Sequence, residues 1–233
     1  PITVTKPQDI KSYEIGHKGD YLDGLLRVNA SFFTSTYNNR QDNSCQVDAT
    51  GAIVCTQTNI GEIDIEGIEL DATAFINDVL NLRVFGSVIE GRYPVPRTRY
   101  DFLNGNAAYK IDEVELPGTP EQFGAVLTYS PNEMISSSVT WKYYGADITE
   151  DNITTPTSIP LFTASRNLVT PSYSLVDINA KWSFNESSSA SFYIKNATDE
   201  VYARSNNDGS AAGFIFRFYQ PPREAGISFT NSF

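Results

Sequence analysis

The sequence predicts an all-β chain, in which about nine antiparallel strands form one section of a transmembrane β-barrel. Three observations lead to this prediction. Apolar and polar residues alternate with a period of two in about nine segments. Short and long connections follow one another in strict alternation along the chain. Charged residues inside the segments gather on one face of the predicted sheet.

The alternating segments are each about ten residues long or longer, which is enough for a tilted strand to cross a bilayer. Their predicted bounds are Lys11–Tyr21, Leu25–Tyr37, Ile60–Phe75, Leu80–Glu90, Glu121–Ser130, Met134–Tyr144, Tyr173–Ser183, Ser188–Ala197 and Arg223–Phe233.

The connections between these segments are of two kinds. The tight ones carry residues that favour turns, namely Asp23-Gly24, Asn77-Asp78, Pro131-Asn132 and Asn185-Glu186. The others are about 20–25 residues long, far above the usual loop length, and cover Asn38–Asn59, Gly91–Gly118, Gly145–Pro171 and Thr198–Pro222. Short periplasmic turns and long extracellular loops are typical of outer-membrane barrels.

The two faces of each predicted strand differ in charge. In Tyr173–Ser183, for example, Val176 and Ile178 alternate with Asp177 and Lys181. Because a lipid-facing Lys or Arg at mid-bilayer costs roughly 2–4 kcal/mol, we expect the charged face to border a wet interior. The charged residues assigned to this face are Glu14, Lys18, Arg27, Glu69, Asp71, Arg83, Lys142, Asp177, Lys181 and Lys195.

A secreted, soluble β-sandwich that serves as a binding module is an alternative, because its strands also alternate and bury their apolar face. Two features favour the barrel. The long and short connections are hard to segregate in a sandwich, and aromatic residues such as Tyr21, Tyr37 and Trp182 lie near the predicted strand ends, as in membrane-interface girdles.

The composition excludes several other classes. The formal net charge of -11 argues against a nucleic-acid partner, since phosphate binding requires a basic surface. No window approaches the roughly 18 consecutive apolar residues of a membrane helix. Residues 1–10 also lack the features of a secretion signal. The chain is therefore either cytoplasmic or an internal piece of a longer protein.

Five segments, taken in order along the chain, resemble those of the C-terminal half of TonB-dependent outer-membrane receptors. The first runs from Ser12 to Gln41, with matching residues Ser12, Tyr13, Glu14, Gly16, Lys18, Leu26, Asn29, Phe32 and Tyr37. The others are "GIELDA" (Gly67, Glu69, Asp71), "LPGTPEQ" (Leu116–Gln122), "IKNATDEVY" (Asn196, Thr198, Asp199, Tyr202) and "PPREAGISFTNSF" (Pro222, Arg223, Phe233).

This resemblance implies a plugged barrel of 22 strands, of which residues 1–233 would supply the last nine. The plug domain and the earlier strands would then be absent, so we expect the chain to be a C-terminal piece. The implied function is TonB-energised uptake of a bulky, scarce nutrient, such as an iron-siderophore complex, a cobalamin or a saccharide. The implied protein is not an enzyme, has no cofactor and lies in the outer membrane of a Gram-negative bacterium.

The same resemblance implies the partners. They are outer-membrane lipid, the receptor's own plug domain, TonB, the barrel-assembly machinery and a small-molecule or metal-chelate ligand. A passive porin-like channel, which would lack a plug, is the alternative within the membrane class.

Two predicted extracellular loops carry candidate functional residues. Cys45 and Cys55 lie in one loop and are predicted to form a disulfide in an oxidising compartment, the alternative being two free thiols. Arg97, Arg99 and Tyr100 lie in the next long loop, where they are candidates to bind an anionic or aromatic ligand. The alternative is a loop whose charges pair with neighbouring acidic residues.

The final strand is the candidate assembly strand, with Ile227, Phe229 and Phe233 as its apolar residues and Asn231 where such receptors often have an aromatic residue. The single histidine, His17, is predicted to be interfacial rather than catalytic. No metal site is predicted, because His17 and the two cysteines lie far apart and do not form a four-ligand set.

Overall fold

The computed structural model is an assembly of β-strands. It describes residues 4–47, 53–93, 97–101, 107–111, 114–115, 121–148, 169–209 and 214–232. Across these ranges there is no helix with the length and hydrophobicity to span a membrane. The strands are β1 (Asp9–Tyr21), β2 (Leu26–Val47), β3 (Ile53–Asn77), β4 (Leu80–Tyr93), β5 (Arg97–Asp101), β6 (Ala107–Ile111), β7 (Val114–Glu115), β8 (Glu121–Asn132), β9 (Ile135–Tyr144), β10 (Asp147–Ile148), β11 (Val169–Thr170), β12 (Tyr173–Ser183), β13 (Ser188–Lys195), β14 (Ala203–Gly209), β15 (Phe214–Tyr219) and β16 (Glu224–Asn231).

One sheet contains all nine segments that the alternation predicted. These nine strands pair in the order β1-β2-β3-β4-β8-β9-β12-β13-β16, and every neighbouring pair is antiparallel. The two-residue strand β7 is the tenth strand of the sheet and pairs with β4. Strand order follows chain order throughout, as in an up-and-down meander. The predicted all-β antiparallel architecture is confirmed.

The four tight turns join neighbouring strands at one end of this sheet, and three of them use an asparagine side chain in the same way. The side-chain oxygens of Asn77, Asn132 and Asn185 each accept a hydrogen bond from a backbone N–H two residues later, at 2.9–3.0 Å. This is the Asx-turn bond that makes asparagine frequent in turns. The turn between β1 and β2 instead uses left-handed backbone at Leu22, Asp23 and Gly24.

The long connections contain more strand than the sequence predicted. Strands β2 and β3 extend past the predicted ends and remain paired as far as Val47 and Ile53. The other three long connections contain the β5–β6, β10–β11 and β14–β15 pairs. The extensions of β2 and β3 are rich in polar residues, so their pairing rests mainly on backbone hydrogen bonds.

The apolar face of the main sheet is exposed. Ile15 and Phe229 are 74% and 75% exposed, and among the described residues only Ile63 and Ala203 are buried apolar side chains. Leu70 and Val84, which a sandwich would bury, are also exposed. The β-sandwich alternative is therefore wrong, because the described residues contain no second sheet packed on this face.

The apolar band has a defined edge at the ends of the strands away from the tight turns. On β3 it runs from Ile68 to Ile76, a rise of about 27 Å along the strand at about 3.4 Å per residue. Beyond Ile68 the outward positions become charged, with Glu66 and Asp64 on β3 and Glu90 and Arg92 opposite them on β4. A tilted strand with such a band fits the apolar belt of about 25 Å found in outer-membrane barrels.

Candidate functional site: the polar face of the sheet

The strand register places all ten charged residues of the predicted polar face on one side of the sheet. Asn29 lies opposite Asp71, Thr73 opposite Arg83, and Thr140 opposite Asp177, and directly opposed residues point to the same side. The same alternation links Glu14, Lys18, Arg27, Glu69, Lys142, Lys181 and Lys195 to this face. The predicted segregation of charge is confirmed.

Ion pairs run across neighbouring strands of the polar face. Arg83 donates to Asp71 from both Nε, at 2.8 Å, and Nη2. Arg27 Nε donates to Asp20 at 2.8 Å, and Lys142 Nζ lies 4.0 Å from Asp177. All of these side chains are substantially exposed, so each pair stabilises the sheet only slightly, by about 0–1 kcal/mol. Their main effect is to make a hydrated wall of mixed charge.

An open recess of about 600 Å³ lies along this wall. Glu14 and Lys18 line it from β1, Asn29 from β2, and Glu69 with Asp71 from β3. Carboxylate, ammonium and amide groups therefore share one concave surface. Such a surface offers donors and acceptors to a polar partner in a water-filled interior.

Aromatic rings on the polar face lie flat across glycines of the next strand. A methyl group added at Gly124 would lie 2.4 Å from Phe85 Cζ, and one added at Gly226 would lie 2.6 Å from the Tyr193 ring. Phe33 covers Gly67 in the same way, at 2.7 Å. Sequence reasoning missed these pairs, because they depend on which residues the register places opposite each other.

A hydrogen-bonded turn follows β13 and is joined to β12 and to the segment before β16. Asn196, only 6% exposed, donates from Nδ2 to the Glu200 carbonyl and accepts from the Glu200 N–H, both at 2.9 Å. Its own N–H donates to Asp177 on β12 at 2.9 Å. Asp199 accepts a hydrogen bond from the N–H of Arg223, just before β16, also at 2.9 Å. We call Asn196, Asp199 and Arg223 the β13–β16 clamp.

Three tyrosines stack beside this clamp. The ring centroids of Tyr144 and Tyr173 are 4.9 Å apart, and those of Tyr173 and Tyr202 are 4.4 Å apart. Burial raises the pKa of the Tyr202 phenol above its usual value, and the nearby Tyr144 and Asp177 act in the same direction. Tyr202 is thus a neutral phenol at physiological pH. Sequence motifs identified Asn196, Asp199, Tyr202 and Arg223, but not the hydrogen bond between Asp199 and Arg223 or the stacking of Tyr202 on Tyr173.

The predicted ligand residues lie on the β5–β6 hairpin. Arg97, Arg99 and Tyr100 belong to β5, whose backbone pairs Arg99 with Tyr109 and Tyr100 with Ala108. The structure describes the backbone of this hairpin, so the predicted role of these side chains stays a prediction.

The remaining predicted residues are distributed over three places. The backbone register sets Cys45 directly opposite Cys55. Ile227 and Phe229 lie on the apolar face of β16 and are largely exposed, whereas Phe233 lies outside the described residues. His17 lies on the apolar side of β1 opposite Ala30, where its Nε2 is hydrogen-bonded to the Tyr21 hydroxyl. Among the described residues, no three His, Cys, Asp or Glu side chains are grouped to hold a metal ion.

A single antiparallel meander with an exposed apolar band and a charged opposite face defines a wall section of an outer-membrane β-barrel. Comparison with known proteins agrees with this assignment to an outer-membrane β-barrel. The model of a family described as "TonB dependent receptor-like, beta-barrel" matches residues 4–197. The chain belongs to the TonB-dependent receptor family, through its barrel domain, and this is a family of Gram-negative outer-membrane proteins rather than of enzymes.

This chain is similar to the receptor PiuA both in sequence and in structure. The chain is 33% identical over 76 residues to the "Probable TonB-dependent siderophore receptor PiuA" of Acinetobacter baumannii, a match that covers 33% of this chain and 9% of that protein. The crystal structure of PiuA superposes with a TM-score of 0.70 at 18% identity, covering 97% of this chain and 29% of that one.

Two further crystal structures share the fold. The ferric yersiniabactin uptake receptor FyuA from Yersinia pestis matches with a TM-score of 0.70 at 16% identity, covering 97% of this chain and 30% of that one. The ferric-catecholate import receptor Fiu from E. coli matches with a TM-score of 0.66 at 19% identity, covering 97% and 28%. The chain therefore spans less than a third of the length of these receptors.

Proposed function

We propose that this chain forms part of the barrel wall of a receptor that imports a bulky, scarce nutrient with energy supplied through TonB. An iron-siderophore complex is the ligand class best supported, because PiuA is named a siderophore receptor and FyuA and Fiu are named for ferric ligands. The observation that carries the proposal is the separation of charge between the two faces of a sheet with the receptor fold.

The polar face is the surface on which a plug domain would pack. Its recess combines the acids Glu14 and Glu69 with Lys18 and Asn29, so it can exchange hydrogen bonds with a polar domain in the interior. Contacts of this wet, mixed-charge kind resemble transient interfaces and can be remade when a domain moves. This property suits a plug that must rearrange during transport.

The apolar face would meet outer-membrane lipid. A groove of about 490 Å³ on this face is lined by Ile68, Leu70, Val84, Phe123 and Trp141, which are suited to contact acyl chains.

On β16, we propose that Ile227, Phe229 and Phe233 are recognised by the barrel-assembly machinery. Phe229→Asp should then leave the full-length receptor unassembled in the periplasm, whereas the polar-face variant Ser228→Asp should assemble; equal assembly of both would contradict the role.

The transport proposal is tested in cells that lack their own copy of the full-length receptor. Restoring the gene should restore uptake of an iron-loaded siderophore, and deletion of tonB should abolish that uptake. A panel of catecholate, hydroxamate and mixed siderophores identifies the ligand. Uptake that persists without TonB would instead indicate the passive porin-like channel.

The predicted ligand residues are tested in the same cells. If the arginines of β5 bind an anionic ligand, then Arg97→Gln and Arg99→Gln should each weaken binding at least several-fold, since a charge-assisted hydrogen bond contributes about 1.5–3 kcal/mol. Tyr100→Ala should weaken binding by loss of stacking. Lys110→Gln, on the paired strand β6, is a matched control for loss of one positive charge. Unchanged affinity in all three variants would remove these residues from the site.

A further inference from the structure

The paired β2–β3 extension carries a feature that the transport function does not use. Beyond Tyr37 and Ile63 the pairing is interrupted by an irregularity, where Asn39 and Gly61 have left-handed backbone, with φ of 53° and 114°. Regular antiparallel pairing then resumes from Gln41 opposite Asn59 to Val47 opposite Ile53. We call this second stretch the hairpin arm.

The base of the hairpin arm is held by a set of amide hydrogen bonds. Asn59 Oδ1 accepts from the Lys6 N–H at 2.7 Å, and Asn59 Nδ2 donates to the Asn39 carbonyl at 2.6 Å. Gln41 Nε2 also donates to the Lys6 carbonyl, at 2.9 Å. The arm is thus fixed at its base by contacts with the segment before β1.

The register of the arm brings its two cysteines together. Cys45 lies directly opposite Cys55, with Ser44 opposite Thr56 on one side and Gln46 opposite Val54 on the other. Directly opposed residues in an antiparallel pair have Cα atoms about 4.5–5.5 Å apart, which falls within the range of about 4.4–6.8 Å that a disulfide requires. The register therefore places both cysteines on the same face of the pair.

We propose that Cys45 and Cys55 form a disulfide that locks the hairpin arm. Outer-membrane proteins pass through the oxidising periplasm, where a thiol oxidase with a reactive disulfide supplies the oxidant. One cysteine thiolate attacks that disulfide, and the second then displaces the oxidase from the mixed disulfide. The new S–S bond forms as the two thiols give up two electrons and two protons to the oxidase, which leaves with two thiols.

The bond fixes the arm in a single register. The arm is mostly polar, and Val47 opposite Ile53 is its one directly opposed apolar pair besides the cysteines, so burial specifies only weakly which residues pair. A slip by one residue would separate the cysteines, and the covalent bond prevents that slip. The inference rests on the outer-membrane location and on the register, and does not depend on which ligand is transported.

The test uses the full-length receptor, isolated from outer membranes with free thiols alkylated during lysis in denaturing detergent. A protease that cleaves before aspartate cuts at Asp42, Asp48 and Asp64, and so places Cys45 and Cys55 on separate peptides, 42–47 and 48–63. We expect the two peptides to be recovered as one linked species before reduction and as two after it. In the control Cys45→Ser, peptide 48–63 should carry the alkyl group without reduction.

Two results would overturn the proposal. Recovery of both wild-type peptides alkylated without prior reduction would show two free thiols. A linkage from either peptide to a different cysteine peptide would show another pairing.

Discussion

Single glycines determine how closely an aromatic side chain can lie against the neighbouring strand. A methyl group added at Gly86 would lie 2.6 Å from Phe123 Cδ1 and 2.8 Å from the carbonyl oxygen of Gln122. The ring could turn aside, but the carbonyl belongs to the paired backbone and cannot. At Gly16, by contrast, an added methyl group meets nothing closer than 3.5 Å.

We therefore predict that Gly86→Ala lowers the free energy of unfolding of the full-length receptor by about 1–3 kcal/mol, the usual cost of overpacking. Gly16→Ala is the matched control and should change it by less than about 0.5 kcal/mol. Both free energies are measured by urea titration of the purified receptor in detergent, with unfolding monitored as loss of the compact form on a gel. Equal effects of the two substitutions would show that Gly86 is not required for close packing.

The register places Gly86 on the apolar face and Gly124 and Gly226 on the polar face. Alternation in the sequence did not indicate that Phe123, Phe85 and Tyr193 cover these glycines. The face of a residue follows from its own position in a strand, since side chains alternate. The identity of the covering ring follows from the pairing of two strands, which a local pattern does not specify.

The β13–β16 clamp joins residues that local sequence patterns do not relate to one another. The motif residues Asn196 and Asp199 are separated from Arg223 by more than 20 residues, with the β14–β15 hairpin between them. The nine strands of the main sheet were predictable because period-two alternation is local. The clamp was not, because its hydrogen bonds form only when β16 is paired with β13.

Asn196 contributes in two ways that can be separated. Its side chain makes two hydrogen bonds to Glu200, and its backbone is left-handed with φ of 49°. Asn196→Gly should cost about 1–3 kcal/mol for the two lost bonds. Asn196→Ala should cost roughly 1–2 kcal/mol more, because alanine is strained in this conformation.

Unfolding of the full-length receptor in urea measures this series. Asn185→Ala is the control, since Asn185 makes its bond to the Ser187 N–H in an exposed turn and its loss should cost about 1 kcal/mol or less. If Asn196→Gly and Asn185→Ala proved equally mild, the clamp would not fix the start of the last strand.

The extensions of β2 and β3 were missed for a different reason. Residues after Tyr37 read Asn38-Asn39-Arg40-Gln41-Asp42, with no apolar face to reveal a strand. The strand structure of such a segment depends on backbone pairing and on interactions such as the Asn59 hydrogen bonds. Neither produces a period-two pattern of apolar residues in the sequence. Sequence patterns therefore located the membrane-crossing strands more accurately than the strands beyond them.

At the scale of the whole molecule, the sheet is a wall that requires neighbours on both edges. Within the described residues the strand order begins at β1 and ends at β16, and neither of these strands pairs with another on its outer edge. Open edges are not tolerated in a bilayer, because their N–H and C=O groups would lack partners. The similar receptors are more than three times as long as this chain.

The apolar face of the sheet meets hydrocarbon and the polar face meets water. Val139 and Thr140 are adjacent on β9 and test both faces. Val139 lies on the apolar face between Leu127 and Ile178, while Thr140 lies on the polar face opposite Asp177. The two positions therefore differ in surroundings but not in depth.

The variants Val139→Lys and Thr140→Lys are made separately in the full-length receptor. Urea unfolding in lipid bilayers then measures the free energy of unfolding of each variant. We predict that Val139→Lys destabilises the receptor by about 2–4 kcal/mol, the cost of a lysine facing lipid near the midplane. Thr140→Lys should change stability by less than about 1 kcal/mol, since its ammonium group lies in water beside a carboxylate. Equal costs, or a larger cost for Thr140→Lys, would contradict the assignment of the two faces.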